Sequence, residues 1–321
     1  MTLKPYDGVK LKAMLQGFWG LTGRELKKWM KEPIILFMAI VQPIMWMVLF
    51  GKSMNIAGIF SPAILDEINI PDIRIPGSLL NPQIDGVITI PNYVIVENLR
   101  STLSAISLKA MESVFGVSDY FSYLAIGMIS MITIFTSTFS GMSIVWDRRL
   151  GFLYKVLSTP VPRSAIILSK VFNAAVRSIF QSTIILGLAI FLGIRFSSTF
   201  SLLNLLAVYL AIFLFSTGLS SLFLAFALRS TRHETQMAIV NLFTMPLMFT
   251  SNAFFPTKIM PNWLQGIASI NPVSYITDAL RQLTIYQTNY LTLLMDFVYL
   301  TAFAATLSTV GIILSWKYLT K

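Results

Sequence analysis

Residues 146–163, WDRRLGFLYKVLSTPVPR, interrupt an otherwise oily chain. Before them, DYFSYLAIGMISMITIFTSTFSGMSIVW (119–146) is almost uncharged over more than a bilayer's thickness. After them, SAIILSKVFNAAVRSIFQSTIILGLAIFLG (164–193) soon turns apolar again. Between Asp147 and Lys170 the chain places five basic residues, one glycine and two prolines. Such a stop between two apolar blocks reads as a turn at a membrane surface.

Composition agrees. Of 321 residues 55% are hydrophobic and 12% charged, and the mean hydropathy is +0.72. A soluble domain carries about twice that charged fraction. The apolar residues come in long blocks, which marks an all-α polytopic membrane protein. The net charge of +10 does not point to nucleic acid, because the basic residues sit between apolar blocks. Without cysteine there are no disulfides, thiolate metal sites or cysteine nucleophiles. The charged stretch 1–32 and the lack of a cleavage site argue against a signal peptide, so the first span is expected to stay as an anchor.

Six segments suit membrane crossing: Pro33–Phe50, Tyr120–Trp146, Ile166–Leu192, Leu202–Leu228, Ala238–Thr250 and Leu291–Trp316. The fifth is short. Its continuation, SNAFFPTKIMPNWLQGIASINPVSYITDALRQL (251–283), mixes apolar stretches with Pro256, Pro261 and Pro272, and reads as re-entrant or interfacial. Counted by loops, sixteen lysines and arginines lie on one side and seven on the other, which places both termini in the cytoplasm. The expected division is an interfacial helix over 1–32, the first span over 33–51, an extracellular loop over 52–119, and the other five spans over 120–321. The last part holds a coupling loop at 147–163 and the re-entrant segment at 252–283.

In the first part, Leu11, Met14, Leu15, Phe18, Trp19, Leu26, Trp29 and Met30 fall near one helical face, with Arg24, Lys27, Lys28 and Lys31 on the other. That pattern suits a helix lying in the inner interface, in contact with membrane lipid. In the long loop, INIPDIRIP (68–76) and GVITIPNYVIV (86–96) alternate like strands. Leu99, Leu103, Ile106, Ala110 and Val114 then follow helical spacing. The expectation is a small α+β cap leaning on the spans or on a partner.

No phosphate-cradling GxxxxGK[ST] and no HExxH occurs, and His233 stands alone as a solvated loop histidine. An enzyme is not expected, nor a cofactor on this chain. Lys170 is close enough to the cytoplasmic end to snorkel, whereas Arg177 lies deeper and needs a polar partner or a wet cavity. Asp296 is near the outer end of its span, and no carboxylate sits at midplane, which counts against a proton-coupled carrier. Ser130, Thr133, Ser137 and Gly141 form a small-residue stripe that serves close packing or lines a pathway.

Physically, Asp147–Thr159 reads as one short amphipathic helix. Leu150, Leu153, Val156 and Leu157 form its apolar side, and Arg148, Arg149 and Lys155 the other. Gly151 permits a bend, and Pro160 and Pro162 straighten the chain and turn it back.

DRRLGFLYKVLSTPVPR also resembles the cytoplasmic signature of type-2 ABC exporter permeases, the family of daunorubicin-resistance-type membrane subunits. Asp147, Arg148, Gly151, Phe152, Leu153, Val156, Leu157, Thr159, Pro160, Val161 and Arg163 match it, while Tyr154 departs from the form with glutamate. The later block resembles the same family's outer segment at Phe255, Pro256, Pro261, Trp263, Leu264, Asn271, Pro272, Tyr275, Asp278 and Arg281. The resemblance covers about four fifths of the chain.

It implies a permease subunit whose Asp147–Pro162 segment, Arg149 included, is gripped by a separate ATP-binding subunit. A second permease chain would complete twelve spans, with the first and fifth meeting across the dimer. The outer block would act as an extracellular gate. The expected activity is ATP-driven export of hydrophobic or amphipathic compounds, drug-like or lipid. The alternatives are export of a lipid-linked polysaccharide, an ion-coupled carrier, or a membrane scaffold.

Overall fold

The computed structural model describes residues 5–53, 70–76, 87–159, 161–230 and 232–319. It is mostly helical. The helices are α1 (Pro5–Met30), α2 (Pro33–Trp46), α3 (Asn92–Phe115), α4 (Tyr120–Phe139), α5 (Met142–Arg149) and α6 (Phe152–Leu157). They continue with α7 (Arg163–Phe191), α8 (Leu202–Arg229), α9 (His233–Phe249), α10 (Asn262–Ala268), α11 (Pro272–Thr284) and α12 (Tyr290–Leu319). One antiparallel pair, β1 (Ile73–Pro76) and β2 (Val87–Ile90), precedes α3.

Four helical runs among the described residues are long and apolar enough to cross a membrane: the one within 92–149, Arg163–Phe191, Leu202–Arg229 and Tyr290–Tyr318. At 1.5 Å per residue, the 29 residues of α7 extend about 44 Å, well beyond a hydrocarbon core of roughly 30 Å. The apolar run of α2 is shorter; Pro43 lies inside it, and a π-helical turn over Met47–Lys52 continues it.

Helix α4 stands at the centre, buried along most of its length against α7 and α8. Its small-residue stripe serves packing. Ser137 Oγ donates to Ser216 Oγ at 2.9 Å, Ser216 also meets Ser178 at 3.1 Å, and Thr133 faces Ser182 at 3.4 Å. A Cβ on Gly141 would lie 2.6 Å from the Phe223 carbonyl oxygen, so this glycine lets the start of α5 touch α8.

The cap differs from expectation in two ways. The strand ends at Ile90, because Pro91 caps a helix that starts at Asn92, so Tyr93–Val96 are helical. The Asn92 amide donates to Asp72 Oδ1 at 2.7 Å, tying hairpin to helix. The buried face of α3 is also rotated: Ser107, Met111 and Phe115 are buried, whereas Leu99 and Ile106 stay exposed. The last turn of α3 meets the bundle, where Phe115 packs on Tyr120 and Tyr123. Parts of the expected cap, 54–69 and 77–86, lie outside the described residues.

Candidate functional site

Both signature segments sit at helix ends, on opposite ends of the bundle. At the hairpin end the helix expected over Asp147–Thr159 is two helices. Gly151 breaks it with φ +73°, a left-handed backbone that favours glycine, and a Cβ there would meet nothing within 4 Å. Backbone conformation, not space, calls for this glycine. Pro162 is extended (φ −58°, ψ 139°) and α7 restarts at Arg163, while Pro160 lies outside the described residues.

The break reassigns the apolar side. Leu153 and Val156 turn inward and are buried with Ile144, Ile166, Ile167 and Leu228 of the same chain. Leu157 is half-buried, and Thr159 is exposed, with Oγ1 donating to the Val156 carbonyl at 2.6 Å. Leu150, expected on the apolar side with Leu153, is instead 70% exposed. It joins Trp146 (41% exposed) and Tyr154 (64% exposed) in an outward apolar edge flanked by Arg149 and Lys155. Arg148 is no rim charge either. It donates to the Leu228 and Ser230 carbonyls, the latter at 3.0 Å, and so caps the C-terminal end of α8.

Asp147 is the anchor of the hairpin. Its carboxylate is buried and pairs with Lys170 Nζ at 2.6 Å and Arg24 at 3.3 Å. Lys170 reaches Glu25 at 3.1 Å and Ser143 Oγ at 3.1 Å; Arg24 also pairs with Glu25 and stacks on the Phe152 ring at 3.3 Å. Two cations and two carboxylates thus form a neutral cluster, buried except at Arg24, that joins α1, the hairpin and α7. Burial pushes the Asp147 carboxyl up, but the charges and hydrogen bonds of Lys170 and Arg24 outweigh it and hold the group below its usual 3.8. This contribution is therefore complete at neutral pH and is lost only as pH falls through that lowered value.

Several sequence expectations change here. Lys170 is 5% exposed and paired, not snorkelling. Arg177 is half-buried, and its Nε has no hydrogen-bond partner among the described residues. His233 is half-buried, with Nδ1 2.9 Å from Met142 Sδ and its ring 5.6 Å from that of Trp146. Glu25 was not singled out. The signal for it was an acid amid the basic residues of the tail, answering a lysine inside an apolar block.

At the opposite end the chain after α9 folds back. Arg281 is 1% exposed and donates to the carbonyls of Asn252 (2.9 Å), Ala253 (2.8 Å) and Tyr123 (3.1 Å), with its guanidinium 3.4 Å from the Tyr123 ring centre. Asn252 Nδ2 donates to Asp278 Oδ1 at 2.6 Å. Asn271 accepts from the Val273 amide and donates to Leu247 O and Thr250 Oγ1, locking the start of α11 to the end of α9. The Tyr275 ring stacks on Tyr299 at 3.7 Å, and its hydroxyl donates to the Ser269 carbonyl. Pro272 opens α11 and Pro256 is buried. The residues of the outer block therefore divide. Asn271, Asp278 and Arg281 form an internal lock, while Phe255, Pro261 and Trp263 face outward. Sequence reading missed Gly127, whose Cβ would lie 2.1 Å from the Ala253 carbonyl oxygen, and Asn252.

Comparison with known proteins bears on both segments. The family model for the ABC-2 type transporter matches residues 16–285, which include both. A protein named as a transport permease, ycf38, from Porphyra purpurea is 28% identical over 258 residues, covering 80% of this chain and 69% of that one. One named as a multidrug ABC transporter permease, YbhR, from Escherichia coli K12 is 29% identical over 167 residues, 51% of this chain and 44% of that one. The daunorubicin resistance ABC transporter permease protein DrrB1 of Streptomyces coeruleorubidus is 23% identical over 165 residues, 51% and 58% of the two chains. With apolar helices suited to a membrane and a family match across most of its length, this chain belongs to the ABC-2 type transporter family as a transmembrane permease.

Proposed function

We propose that this permease is the membrane subunit of an exporter driven by a separate ATP-binding subunit, moving hydrophobic or amphipathic compounds, drug-like or lipid, out of the cytoplasm. The observation that carries this reading is the hairpin end: a small helical element pinned to the bundle by buried charges, presenting Trp146, Leu150 and Tyr154 outward beside Arg149 and Lys155. Such an element passes a push from outside into α7 and α8, because it cannot move without them. The names of two relatives, multidrug in one and daunorubicin resistance in the other, support the cargo class. In this reading the hairpin end is cytoplasmic, α2 and α9 are the first and fifth spans, and 252–283 is the re-entrant outer gate. The segment 52–119 forms an extracellular cap. The exposed Phe37, Met38 and Met45 of α2 and Leu242, Met245 and Phe249 of α9 suit contact with a second permease chain.

Capture of the ATP-binding subunit tests it. Leu150→Asp or Tyr154→Asp would put an unpaired carboxylate into the docked edge, at a cost of several kcal/mol. At about 1.4 kcal/mol per tenfold, ATPase recovered per permease is expected to fall at least tenfold. Leu153→Asp is expected to lower the amount of folded permease itself, since that side chain is internal. Undiminished ATPase recovery from both outward variants would remove the coupling role.

Orientation has its own test. Single cysteines at Asn262 and Arg195 should react with an impermeant thiol reagent added outside cells, and those at Lys28 and Arg149 should not. Labelling at Arg149 would reverse the assignment.

A further inference from the structure

Helix α1 does not bury one apolar face as its sequence pattern suggests. Thr22, Glu25 and Trp29 turn toward the bundle, with Trp29 on Phe180 and Phe18 on Phe172 of α7. Leu15 (51% exposed) and Met30 (71% exposed) point away from it, and Trp19, though edge-on to Phe172 at 6.1 Å, is 61% exposed. Beside it an open recess is lined by Trp19, Gly20, Gly23, Arg24, Lys27, Lys28 and Lys31, together with one carboxylate, Glu32. Lys27, Lys28 and Lys31 form no ion pair among the described residues. Arg24 differs, being engaged with Asp147 and Glu25.

The glycines are the telling feature. Glycine is a poor helix former, so its place inside a helix needs a reason. Gly17 has one, since a Cβ there would lie 2.6 Å from Val161 Cγ1. At Gly20 and Gly23 a Cβ would meet nothing within 4 Å. They leave bare helix backbone between a tryptophan and three lysines, and among the described residues nothing pairs with those lysines or fills the space. We propose that the recess holds the headgroup of an anionic phospholipid. The phosphate lies over Gly20 and Gly23 within reach of Lys27 and Lys31, and the acyl chains lie along Trp19 and Leu15. Charge complementarity selects an anion, and the exposed apolar residues of the same face select one that carries chains. An indole at headgroup depth suits the membrane interface. The inference rests on the membrane placement of the chain, and on neither the ATPase nor the cargo.

The test uses purified full-length permease in a neutral detergent. It is titrated with phosphatidylglycerol or phosphatidylcholine, and bound lipid is counted by native mass spectrometry. Phosphatidylglycerol should bind in preference and be weakened by salt. Lys27→Gln/Lys31→Gln should weaken it about thirtyfold, and Gly20→Leu/Gly23→Leu should displace it by filling the recess. Lys109→Gln/Lys258→Gln, with the same loss of charge far from α1, should bind as wild type. Glycerol phosphate, the head without chains, should not compete. Equal binding by wild type and the Lys27/Lys31 variant overturns the proposal, as does equal weakening in the control or full competition by glycerol phosphate. Should the Lys27/Lys31 variant keep the lipid but lose the ATP-binding subunit, the surface belongs to that protein instead.

Discussion

Lys170→Met is expected to destabilise the permease by about 3–5 kcal/mol, because it leaves two buried carboxylates facing a single, partly exposed arginine. Asp147 and Glu25 are 2% and 5% exposed, and the Arg24 side chain is 35% exposed. Water cannot replace the lost ammonium at either site. Removing charges in pairs should be far milder: Asp147→Asn/Lys170→Met leaves the Arg24–Glu25 pair intact and no lone buried ion. The double variant is therefore expected to be more stable than Lys170→Met alone, with a coupling of about 1–3 kcal/mol. Unfolding of the four purified proteins in one detergent gives the cycle. Strict additivity would mean that the cluster is not coupled and that Asp147 holds the hairpin by packing alone.

The opposite end offers a second large effect. Gly127→Ala places a methyl group at the Cβ position, well inside contact distance of the Ala253 carbonyl oxygen. The obstacle is backbone, so α4 and the turn at 251–254 have to separate. That separation breaks the fork through which Arg281 reaches Asn252, Ala253 and Tyr123. A loss of about 4 kcal/mol or more is expected, from overpacking together with buried carbonyls left without donors. Arg281→Lys should be destabilising as well, because one ammonium cannot reproduce a planar fork that serves three acceptors. Gly187→Ala is the matched control. Nothing lies within 4 Å of its Cβ, and alanine favours the helix by up to about 1 kcal/mol. Equal stability of Gly127→Ala and Gly187→Ala would refute the close approach.

In both predictions the residues that matter come from distant parts of the chain. Asp147 meets Lys170 and Arg24, the latter 123 positions away, and is joined through both to Glu25, while Arg281 meets Tyr123 at a separation of 158 residues. A motif can mark one member of such a cluster and not its partners. This explains why Asp147, Asn271 and Arg281 were picked out as parts of signatures, while Glu25, Gly127 and Asn252 were not. It also explains the error at Leu150. Periodicity treated 147–159 as one helix, and the left-handed glycine at 151 turned Leu153 and Val156 inward and Leu150 outward.

By itself the sequence determined the helical membrane class, the positions of the long apolar helices, the hairpin between the second and third apolar blocks, and the family. Those depend on local properties: hydropathy over a bilayer's thickness, proline and glycine at breaks, and residue spacing within one short segment. Only the tertiary structure decided which charges are buried in pairs, which hydrophobic residues of α1 and the hairpin face the chain's own core, and which glycines let backbones touch. A helical wheel shows that a side chain is apolar, but not whether protein or lipid will cover it. In a membrane both surroundings accept the same residues, so packing alone makes that choice.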